Sequence, residues 1–195
     1  MSHYFLTPDD PEQRRQIEAD IWGRHFTFTT ANGVFSGSRL DPGTAVLLRS
    51  VDAPTTASRL LDLGCGFGPI AVALAAACPA SQVTAIDVND RALALTRDNA
   101  ARAGVAVDVR LPQDVAEDAR FDEIWSNPPI RIGKAALHEL LTTWLARLAP
   151  GGRAYLVVGR NLGADSLQAW LDANGWPTRR LASAKGYRVL RADQR

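Results

Sequence analysis

The sequence predicts an α/β domain in which a mostly parallel sheet is covered by helices on both faces. Apolar segments of strand length alternate with segments of helix length, and a glycine-rich turn joins one such strand to the next helix. Of the 195 residues, 46% are hydrophobic, which suits one substantial core but leaves no room for a second full domain. We expect residues 41–195 to form the main domain and residues 1–40 to form an N-terminal β extension of it.

Two local signals predict the N-terminal elements. Between Arg24 and Phe35, phenylalanines alternate with polar residues, and Ala31-Asn32-Gly33 is typical of a turn, so this segment is predicted to be an antiparallel hairpin. Asp41 and Pro42 are the residue types favoured at the cap and the first position of a helix. That helix is predicted to extend through Arg49.

The remaining elements alternate between strand and helix up to a closing hairpin. Four apolar-rich runs predict strands, at Leu60–Leu63, Gln82–Ile86, Val105–Leu111 and Phe121–Trp125. Helices are predicted from apolar spacing and, for the last three, from the glycine or proline that follows, at Ile70–Cys78, Asn89–Ala103, Lys134–Leu148 and Ala164–Asn174. Finally, Ser183–Gly186 has the composition of a turn between two strands, Thr178–Ala182 and Tyr187–Arg191.

A glycine-rich loop follows the first of these strands, with the pattern Asp62-Leu63-Gly64-Cys65-Gly66-Phe67-Gly68. Alternating glycines allow the backbone to approach a ligand more closely than residues with a Cβ would. A dinucleotide fingerprint would read G-x-G-x-x-G/A, whereas Pro69 follows the third glycine here. The pattern D-x-G-x-G-x-G resembles the first motif of class I S-adenosylmethionine-dependent methyltransferases, although a glycine loop alone also fits other nucleotide-binding roles.

Acidic residues in the next two loops complete a predicted cofactor site. Asp87 ends the next strand, where a carboxylate can accept from the two ribose hydroxyls of an adenosyl group; helix capping is the alternative. Asp114 lies where the resemblance implies a contact with the adenine amino group, and a solvated charge is the alternative there. The predicted cofactor is S-adenosylmethionine, and its predicted contacts are Asp62, Gly64, Cys65, Gly66, Gly68, Asp87, Val88, Asp114 and Asn127.

A second motif, Asn127-Pro128-Pro129-Ile130, closely follows the strand that ends at Trp125. Its two prolines remove two N–H donors and disfavour a helical Asn127, so the chain is held extended. The Asn127 side-chain oxygen and a free Pro128 carbonyl would then offer two acceptors to an NH2 group. Asn-Pro-Pro alone is usually a turn. Its place downstream of the glycine loop favours a catalytic role for Asn127, Pro128 and Pro129.

Taken in order, these motifs resemble the catalytic domain of the small-subunit ribosomal RNA guanine-N2 methyltransferase C family. The resemblance covers about Thr29 to Arg191. Besides the glycine loop, its signatures are Gly33-Val34-Phe35-Ser36, Leu40-Asp41-Pro42-Gly43-Thr44, Phe121-Asp122, Ser126-Asn127-Pro128-Pro129 and Lys185-Gly186-Tyr187-Arg188-Val189. It implies a Rossmann-like seven-stranded sheet with an antiparallel closing hairpin. It also implies methyl transfer from S-adenosylmethionine to guanine N2 of ribosomal RNA.

Two features depart from that family's pattern. Members often carry two tandem halves, the first inactive and aiding RNA recognition, whereas this sequence contains one; homodimerisation would be one replacement. Ile130 stands where an aromatic residue usually follows Asn-Pro-Pro. An aromatic side chain there would contribute about 1–3 kcal/mol by stacking on the base. Because Ile130 offers apolar contact only, the identity of the base stays open.

Four residues are predicted to contact the substrate. Arg131 and Lys134 follow the Asn-Pro-Pro motif closely enough to reach an RNA phosphate, with solvated charges as the alternative. Phe35 and Ile130 are the predicted apolar contacts. With 22 basic and 21 acidic residues the formal charge is +1, so bulk charge does not indicate RNA. The resemblance nevertheless implies structured RNA, ribosomal RNA or the small ribosomal subunit, as the partner.

Composition disfavours other classes of protein. Three His and two Cys are scattered rather than spaced as ligands, which predicts no metal site. Cys65 and Cys78 are separated by a predicted helix and so too far apart to bridge, and reduced thiols indicate a cytoplasmic protein. The longest apolar run, Ile70–Cys78, falls short of the roughly 20 residues that span a membrane, so no membrane association is expected.

Three functions remain open at this point. The first is an RNA guanine-N2 methyltransferase. The second keeps the mechanism and changes the acceptor to adenine N6 or a protein glutamine amide, because each presents an NH2 group conjugated to a π system. The third is a non-catalytic S-adenosylmethionine-binding module, which the intact Asp62, Asp87 and Asn127 disfavour.

Overall fold

The computed structural model describes residues 10–35 and 39–194, so Ser36 of the first signature lies outside the described residues. The strands are β1 (Arg14–Ile21), β2 (Arg24–Ala31), β3 (Arg59–Leu63), β4 (Gln82–Ile86), β5 (Asp108–Arg110), β6 (Phe121–Ser126), β7 (Leu148–Gly159), β8 (Thr178–Ala184) and β9 (Tyr187–Asp193). The helices are α1 (Pro42–Ser50), α2 (Pro69–Ala77), α3 (Asp90–Ala103), α4 (Lys134–Leu145) and α5 (Ala164–Ala173).

Strands β3 to β9 form one seven-stranded sheet in the order β5-β4-β3-β6-β7-β9-β8. The pairs between β5 and β7 are parallel, whereas β9 runs antiparallel to both β7 and β8. Strands β1 and β2 form a separate antiparallel pair. The predicted Rossmann-like sheet, mostly parallel with an antiparallel closing hairpin, is therefore confirmed.

Each face of the sheet has its own hydrophobic core. In β3, Leu60 belongs to the cluster of buried residues that also contains side chains of α1, α2, α3 and the β1–β2 hairpin, whereas its neighbour Leu61 belongs to the cluster that contains side chains of α4 and α5. Both leucines are fully buried. Because helices cover both faces, the central strands contain consecutive apolar residues rather than an apolar and polar alternation.

The N-terminal hairpin turns at a different place from the one predicted. Its loop is Trp22-Gly23 and not Ala31-Asn32-Gly33. Trp22 and Gly23 have φ values of 48° and 75°, which suit a two-residue hairpin loop but are uncommon for tryptophan. The Trp22 indole donates to the Val51 carbonyl at 3.0 Å and packs edge-on against Trp125. Tertiary contacts therefore fix this turn.

The domain boundary at residue 40 stays a prediction.

Helix α4 is shorter than predicted. It ends at Leu145 rather than Leu148, because β7 begins at Leu148, where it pairs with Phe121 of β6. The residues expected to end the helix, Pro150–Gly152, are part of β7. Parallel pairing with β6 thus takes precedence over the helical signal of these residues.

Two further predicted boundaries, those of β5 and of the closing turn, are wrong. The predicted start of α1 and the predicted end of α3 are confirmed. Strand β5 contains only Asp108–Arg110 of the predicted Val105–Leu111. It is the outermost strand of the sheet and pairs with β4. The closing hairpin turns over two residues instead of four, Lys185-Gly186, whose φ values are 50° and 81°. Asp41 caps α1 and Gly104 ends α3 in the left-handed conformation, as predicted.

Candidate active site

The predicted motifs lie together at one edge of the sheet. The glycine loop follows β3, Asp87 follows β4 and Asn127 follows β6. These three strands are parallel neighbours. Since the carboxyl ends of parallel neighbours meet at one edge, where open α/β sheets bind ligands, the fold brings the two motifs and Asp87 to a single candidate site.

The glycine loop turns from β3 into α2 through three left-handed residues. Gly64, Gly66 and Gly68 have φ values of 76°, 57° and 86°, which other residues adopt at a cost of about 1–2 kcal/mol. Apart from the glycine itself and its two chain neighbours, no atom of the described residues lies within 4 Å of a Cβ placed at Gly64 or Gly66. A Cβ at Gly68 would lie 2.9 Å from the hydroxyl oxygen of Thr96. The first two glycines therefore face open space, and the third allows α3 to pack closely.

Asp87 connects the glycine loop to the loop after β4. Its carboxylate accepts hydrogen bonds from the N–H of Gly66 at 2.9 Å and the N–H of Asn89 at 3.0 Å. Burial raises the pKa of Asp87, and these N–H groups oppose that rise. The cap of α3 is Asn89, not Asp87. A carboxylate oxygen can accept more than one hydrogen bond, so Asp87 retains the capacity to accept from a ligand.

Asp62 lies in β3 beneath the glycine loop and is fully buried. Its Oδ2 accepts from the N–H of Ala71 in α2 at 2.9 Å, whereas no described residue gives Oδ1 a hydrogen-bond partner. Burial raises the pKa of Asp62 to about 7, and the charge of Asp87 acts in the same direction. A buried oxygen without a partner is costly unless a ligand or solvent supplies one. A cationic ligand therefore fits the chemistry of this position.

Cys65 lies between the first two glycines of the loop. Its thiol is buried, 3.5 Å from the Thr96 hydroxyl, and burial raises the pKa of that thiol well above its usual range. Such a thiol is a poor nucleophile. The N–H groups of Cys65 and Gly64 both donate to the Ile86 carbonyl at 2.9 Å, which fixes the backbone of the loop.

The Asn127 amide is held by the N-terminus of α1. Its Nδ2 donates to Asp41 Oδ1 at 2.7 Å and to Thr44 Oγ1 at 3.1 Å. With the amide nitrogen in this orientation, the side-chain oxygen is the group left for a substrate. The sequence predicted Asp41 only as a helix cap and gave no role to Thr44. Their one signal was membership of the same signature, Leu40-Asp41-Pro42-Gly43-Thr44.

The Pro128 carbonyl is not free, contrary to expectation. It accepts from the N–H of Ile130 at 2.8 Å. Pro129, between them, has φ −74° and ψ 72°, the geometry of an inverse γ-turn. A carbonyl oxygen has two lone pairs, so one remains available to a substrate.

Two exposed apolar residues belong to segments that lie next to Asp87. Phe35 is 48% exposed and Val88 is 54% exposed. The Asn89 amide donates to the Gly33 carbonyl at 2.9 Å, which ties the segment before Phe35 to the loop that contains Asp87 and Val88. The fold thus brings both apolar residues into the surroundings of the site.

The other predicted contacts lie further from the centre of the site. Arg131 and Lys134 are exposed after the Asn-Pro-Pro motif, and Asp114 is exposed in a short 3-10 turn after β5. Ile130 and Lys134 line a cavity of about 150 Å³ together with Leu137, Val158 and Leu162. A larger groove of about 440 Å³, between β2 and the end of α3, contains none of the predicted site residues. Ligand contacts of these residues stay predictions.

Residues 10–35 and 39–194 show neither a metal-binding cluster nor a helix that could span a membrane. In these ranges, His, Cys, Asp and Glu form no group of three or more suited to a metal ion. Nor does any helix there combine the length and the apolar character needed to cross a bilayer. Within the same ranges Cys65 and Cys78 are both free thiols.

Comparison with known proteins shows which family has this architecture. The model of the family described as the methyltransferase small domain matches residues 25–191, most of the chain. The chain belongs to the methyltransferase small domain family.

Relatives of this methyltransferase small domain include both short and long proteins. The uncharacterized protein YbxB of Bacillus subtilis (strain 168) is 31% identical over 198 residues, 98% of each chain. Ribosomal RNA small subunit methyltransferase C of Ectopseudomonas mendocina (strain ymp) is 35% identical over 165 residues, which are 82% of this chain and 49% of that protein. The chain thus spans about half the length, or less, of the methyltransferase C proteins that it matches.

A solved structure has the same fold along almost the whole chain. The T. thermophilus 16S rRNA N2 methyltransferase (RsmC), in complex with AdoMet (S-adenosylmethionine) and guanosine, matches with a TM-score of 0.83 and 26% sequence identity. The match covers 96% of this chain and 52% of that one. TrmN from Thermus thermophilus matches with a TM-score of 0.60 and 27% identity, over 78% of this chain and 48% of that one.

Proposed function

We propose that this methyltransferase small domain transfers a methyl group from S-adenosylmethionine to the exocyclic N2 of a guanine in ribosomal RNA. The orientation of the Asn127 amide carries this proposal, because Asp41 and Thr44 engage its nitrogen and leave its oxygen for the substrate. That oxygen and the remaining lone pair of the Pro128 carbonyl are two acceptors at the ligand-binding edge of the sheet. Two acceptors are what an NH2 group needs to be held in one orientation.

The cofactor is S-adenosylmethionine, and the residues around the glycine loop suit its parts. Open space beside Gly64 and Gly66 admits a ligand against the backbone. Asp87 keeps acceptor capacity for the two ribose hydroxyls. The unpartnered Oδ1 of Asp62 suits the cationic, methionine end of the cofactor. Val88 and Asp114 are the proposed adenine contacts.

The protein contributes orientation and electrostatics to the reaction. When bound, S-adenosylmethionine supplies an electrophilic methyl group for direct transfer to nitrogen, so no covalent enzyme intermediate is required. The lone pair of an exocyclic NH2 group is delocalised into its ring. Hydrogen bonds from its two N–H groups to Asn127 and Pro128 favour a more tetrahedral, nucleophilic nitrogen and stabilise the positive charge that develops there. The surplus proton then passes to water.

Guanine N2 is the proposed acceptor because a relative acts there. The T. thermophilus protein that shares this fold is a 16S rRNA N2 methyltransferase solved with guanosine. A second candidate keeps the mechanism and changes the acceptor to adenine N6 or a protein glutamine amide, because each presents an NH2 group conjugated to a π system and the formal charge of +1 does not single out RNA. In both cases Phe35 and Ile130 are the proposed apolar contacts. Arg131 and Lys134 are the proposed phosphate contacts if the substrate is RNA.

The test is a methyl-transfer assay with tritiated S-adenosylmethionine. Free ribosomal RNA, small ribosomal subunits and free ribosomal proteins are offered as acceptors, and the labelled products are digested and identified. Label in N2-methylguanosine, absent with the Asn127→Ala variant, supports the proposal. Label in N6-methyladenosine or in a methylated glutamine replaces the acceptor. Cofactor binding without transfer to any acceptor would indicate a non-catalytic binding module instead.

A further inference from the structure

Both N–H groups of the Asn127 amide are engaged before any substrate binds. One faces Asp41 Oδ1 at 2.7 Å and the other faces Thr44 Oγ1 at 3.1 Å. An aspartate carboxylate only accepts hydrogen bonds, so the amide nitrogen, and not the amide oxygen, must point towards Asp41. An asparagine held in this way accepts from a substrate NH2 group and has no N–H left to offer a carbonyl.

We propose that Asp41 and Thr44 are positioning residues that restrict Asn127 to the role of hydrogen-bond acceptor for the substrate NH2 group. This inference rests on the proposed function and deepens it. Neither residue is given a contact with the reacting atoms in this proposal. Their effect passes through Asn127, which lies 86 and 83 residues away from them along the chain.

The position of Asp41 is itself fixed by the start of α1. Its Oδ1 accepts from the N–H of Thr44 at 3.0 Å as the helix cap, and its backbone carbonyl accepts from the N–H of Ala45 at 2.8 Å. Pro42 occupies the first turn, where its fixed φ suits a helix. One carboxylate oxygen therefore serves both the cap and Asn127, so the helix N-terminus sets the orientation of the amide.

The Tyr187 ring packs closely against the loop that contains Asp41 and Gly43, and this packing restrains the position of Asp41. A Cβ at Gly43 would lie 2.9 Å from Asp41 Oδ1 and 2.9 Å from Cε1 of the Tyr187 ring. Tyr187 is the first residue of β9, directly after the closing turn. Because residue 43 has no side chain, the Tyr187 ring can pack against the loop that presents Asp41.

The charge of Asp41 adds an electrostatic contribution. A carboxylate hydrogen-bonded to the Asn127 nitrogen polarises the amide and increases the negative partial charge on its oxygen. That oxygen faces the nitrogen on which positive charge develops during transfer. The same contact thus orients the acceptor and strengthens it in the transition state.

Thr44 offers a matched pair of variants for the test. Thr44→Val keeps the shape and removes the hydroxyl acceptor, whereas Thr44→Ser keeps the hydroxyl. In the methyl-transfer assay we expect Thr44→Val to lower kcat roughly tenfold, the effect of losing about one hydrogen bond in the transition state. KM and the cofactor Kd should change little. Thr44→Ser should restore kcat to within about threefold of wild type.

The same substitutions in the Asn127→Ala background show whether Thr44 acts through Asn127. There, in single-turnover assays, we expect Thr44→Val to cause less than about a twofold further loss, because its partner is absent. An equal loss in both backgrounds would overturn the proposal, and so would an unchanged kcat in Thr44→Val alone. Asp41→Ser keeps a capping oxygen but removes the carboxylate that accepts from Asn127, so it serves if Thr44→Val fails to fold.

An NMR measurement keeps this test separate from the proposed function. The side-chain NH2 signals of Asn127 are assigned in 15N-labelled protein by their loss in Asn127→Ala. They should exchange slowly with water in wild type and in Thr44→Ser, and roughly tenfold faster or more in Thr44→Val. If wild type methylates no acceptor, the proposed function fails while the NMR result still decides the orientation. Equal exchange in Thr44→Val and wild type would overturn the inference even for an active enzyme.

Discussion

Replacing Asp62 by asparagine should stabilise the cofactor-free protein at alkaline pH. The carboxyl has an ordinary pKa of 3.8 and a pKa of about 7 in the folded protein, because burial disfavours its charge. Below pH 3.8 the carboxyl is protonated in both states and contributes nothing to the pH dependence. As the pH rises towards 7, ionisation favours the unfolded chain. Above pH 7 the penalty reaches an upper limit of about 4 kcal/mol, at about 1.4 kcal/mol for each pH unit between the two values.

Asparagine removes this penalty but introduces one of its own. Its oxygen can still accept from the N–H of Ala71, while its NH2 group takes the place of the unpartnered Oδ1. A buried donor without a partner costs about 1–3 kcal/mol. The expected net gain is therefore about 1–3 kcal/mol at pH 8, declining to about zero at pH 5. Urea unfolding of Asp62→Asn and wild type at these two pH values measures the difference.

Two controls make this prediction specific. Burial raises the pKa of Asp122, but hydrogen bonds from Arg59 outweigh it and the net pKa is lowered, so Asp122→Asn should lose stability at pH 8. Saturating S-adenosylmethionine should raise the unfolding midpoint of wild type and raise that of Asp62→Asn much less. If Asp62→Asn were no more stable than wild type at pH 8, the assignment of Asp62 as a destabilising buried charge would be wrong.

Three further predictions concern the cofactor and the glycine loop. A cation favours ionised Asp62, so the affinity for S-adenosylmethionine should rise with pH up to about 7 and then level off; a pH-independent Kd in titration calorimetry would contradict this. Asp87→Ala should weaken cofactor binding roughly tenfold or more with little change in kcat at saturation, whereas Asn127→Ala should do the reverse, losing kcat roughly a hundredfold. Equal loss of cofactor binding in both variants would refute this division of roles. Gly68→Ala should cost about 2–4 kcal/mol of stability in urea unfolding, because it adds a clash with α3 to the strain of a left-handed residue. Gly64→Ala should cost about 1–2 kcal/mol, because its Cβ meets open space, but should weaken cofactor binding.

Local patterns were sufficient for the fold class and for the location of the candidate site. Apolar runs of strand and helix length identified the parallel sheet, because a sheet covered on both faces needs continuous apolar strands. The glycine loop, Asp87 and Asn127 each follow a predicted strand. Since the carboxyl ends of neighbouring parallel strands meet at one edge, order along the chain was enough to predict that they lie together.

Boundaries and orientations required the tertiary structure. The turn at Trp22-Gly23 depends on the packing of an indole against Trp125, and the end of α4 depends on the pairing of β7 with β6. These contacts join distant parts of the chain, so propensity and periodicity, which are local, do not contain them.

The sequence by itself therefore determined which residue types stand after which strands, and with them the fold, the glycine loop and the Asn-Pro-Pro motif. Only the tertiary structure decided how these groups are used. Among the described residues it left one oxygen of Asp62 buried without a partner, and it placed the cap of α1 against an asparagine 86 residues away. The physical reason is that secondary structure follows from neighbours in sequence, whereas the burial of a charge and the orientation of an amide depend on which surfaces pack together.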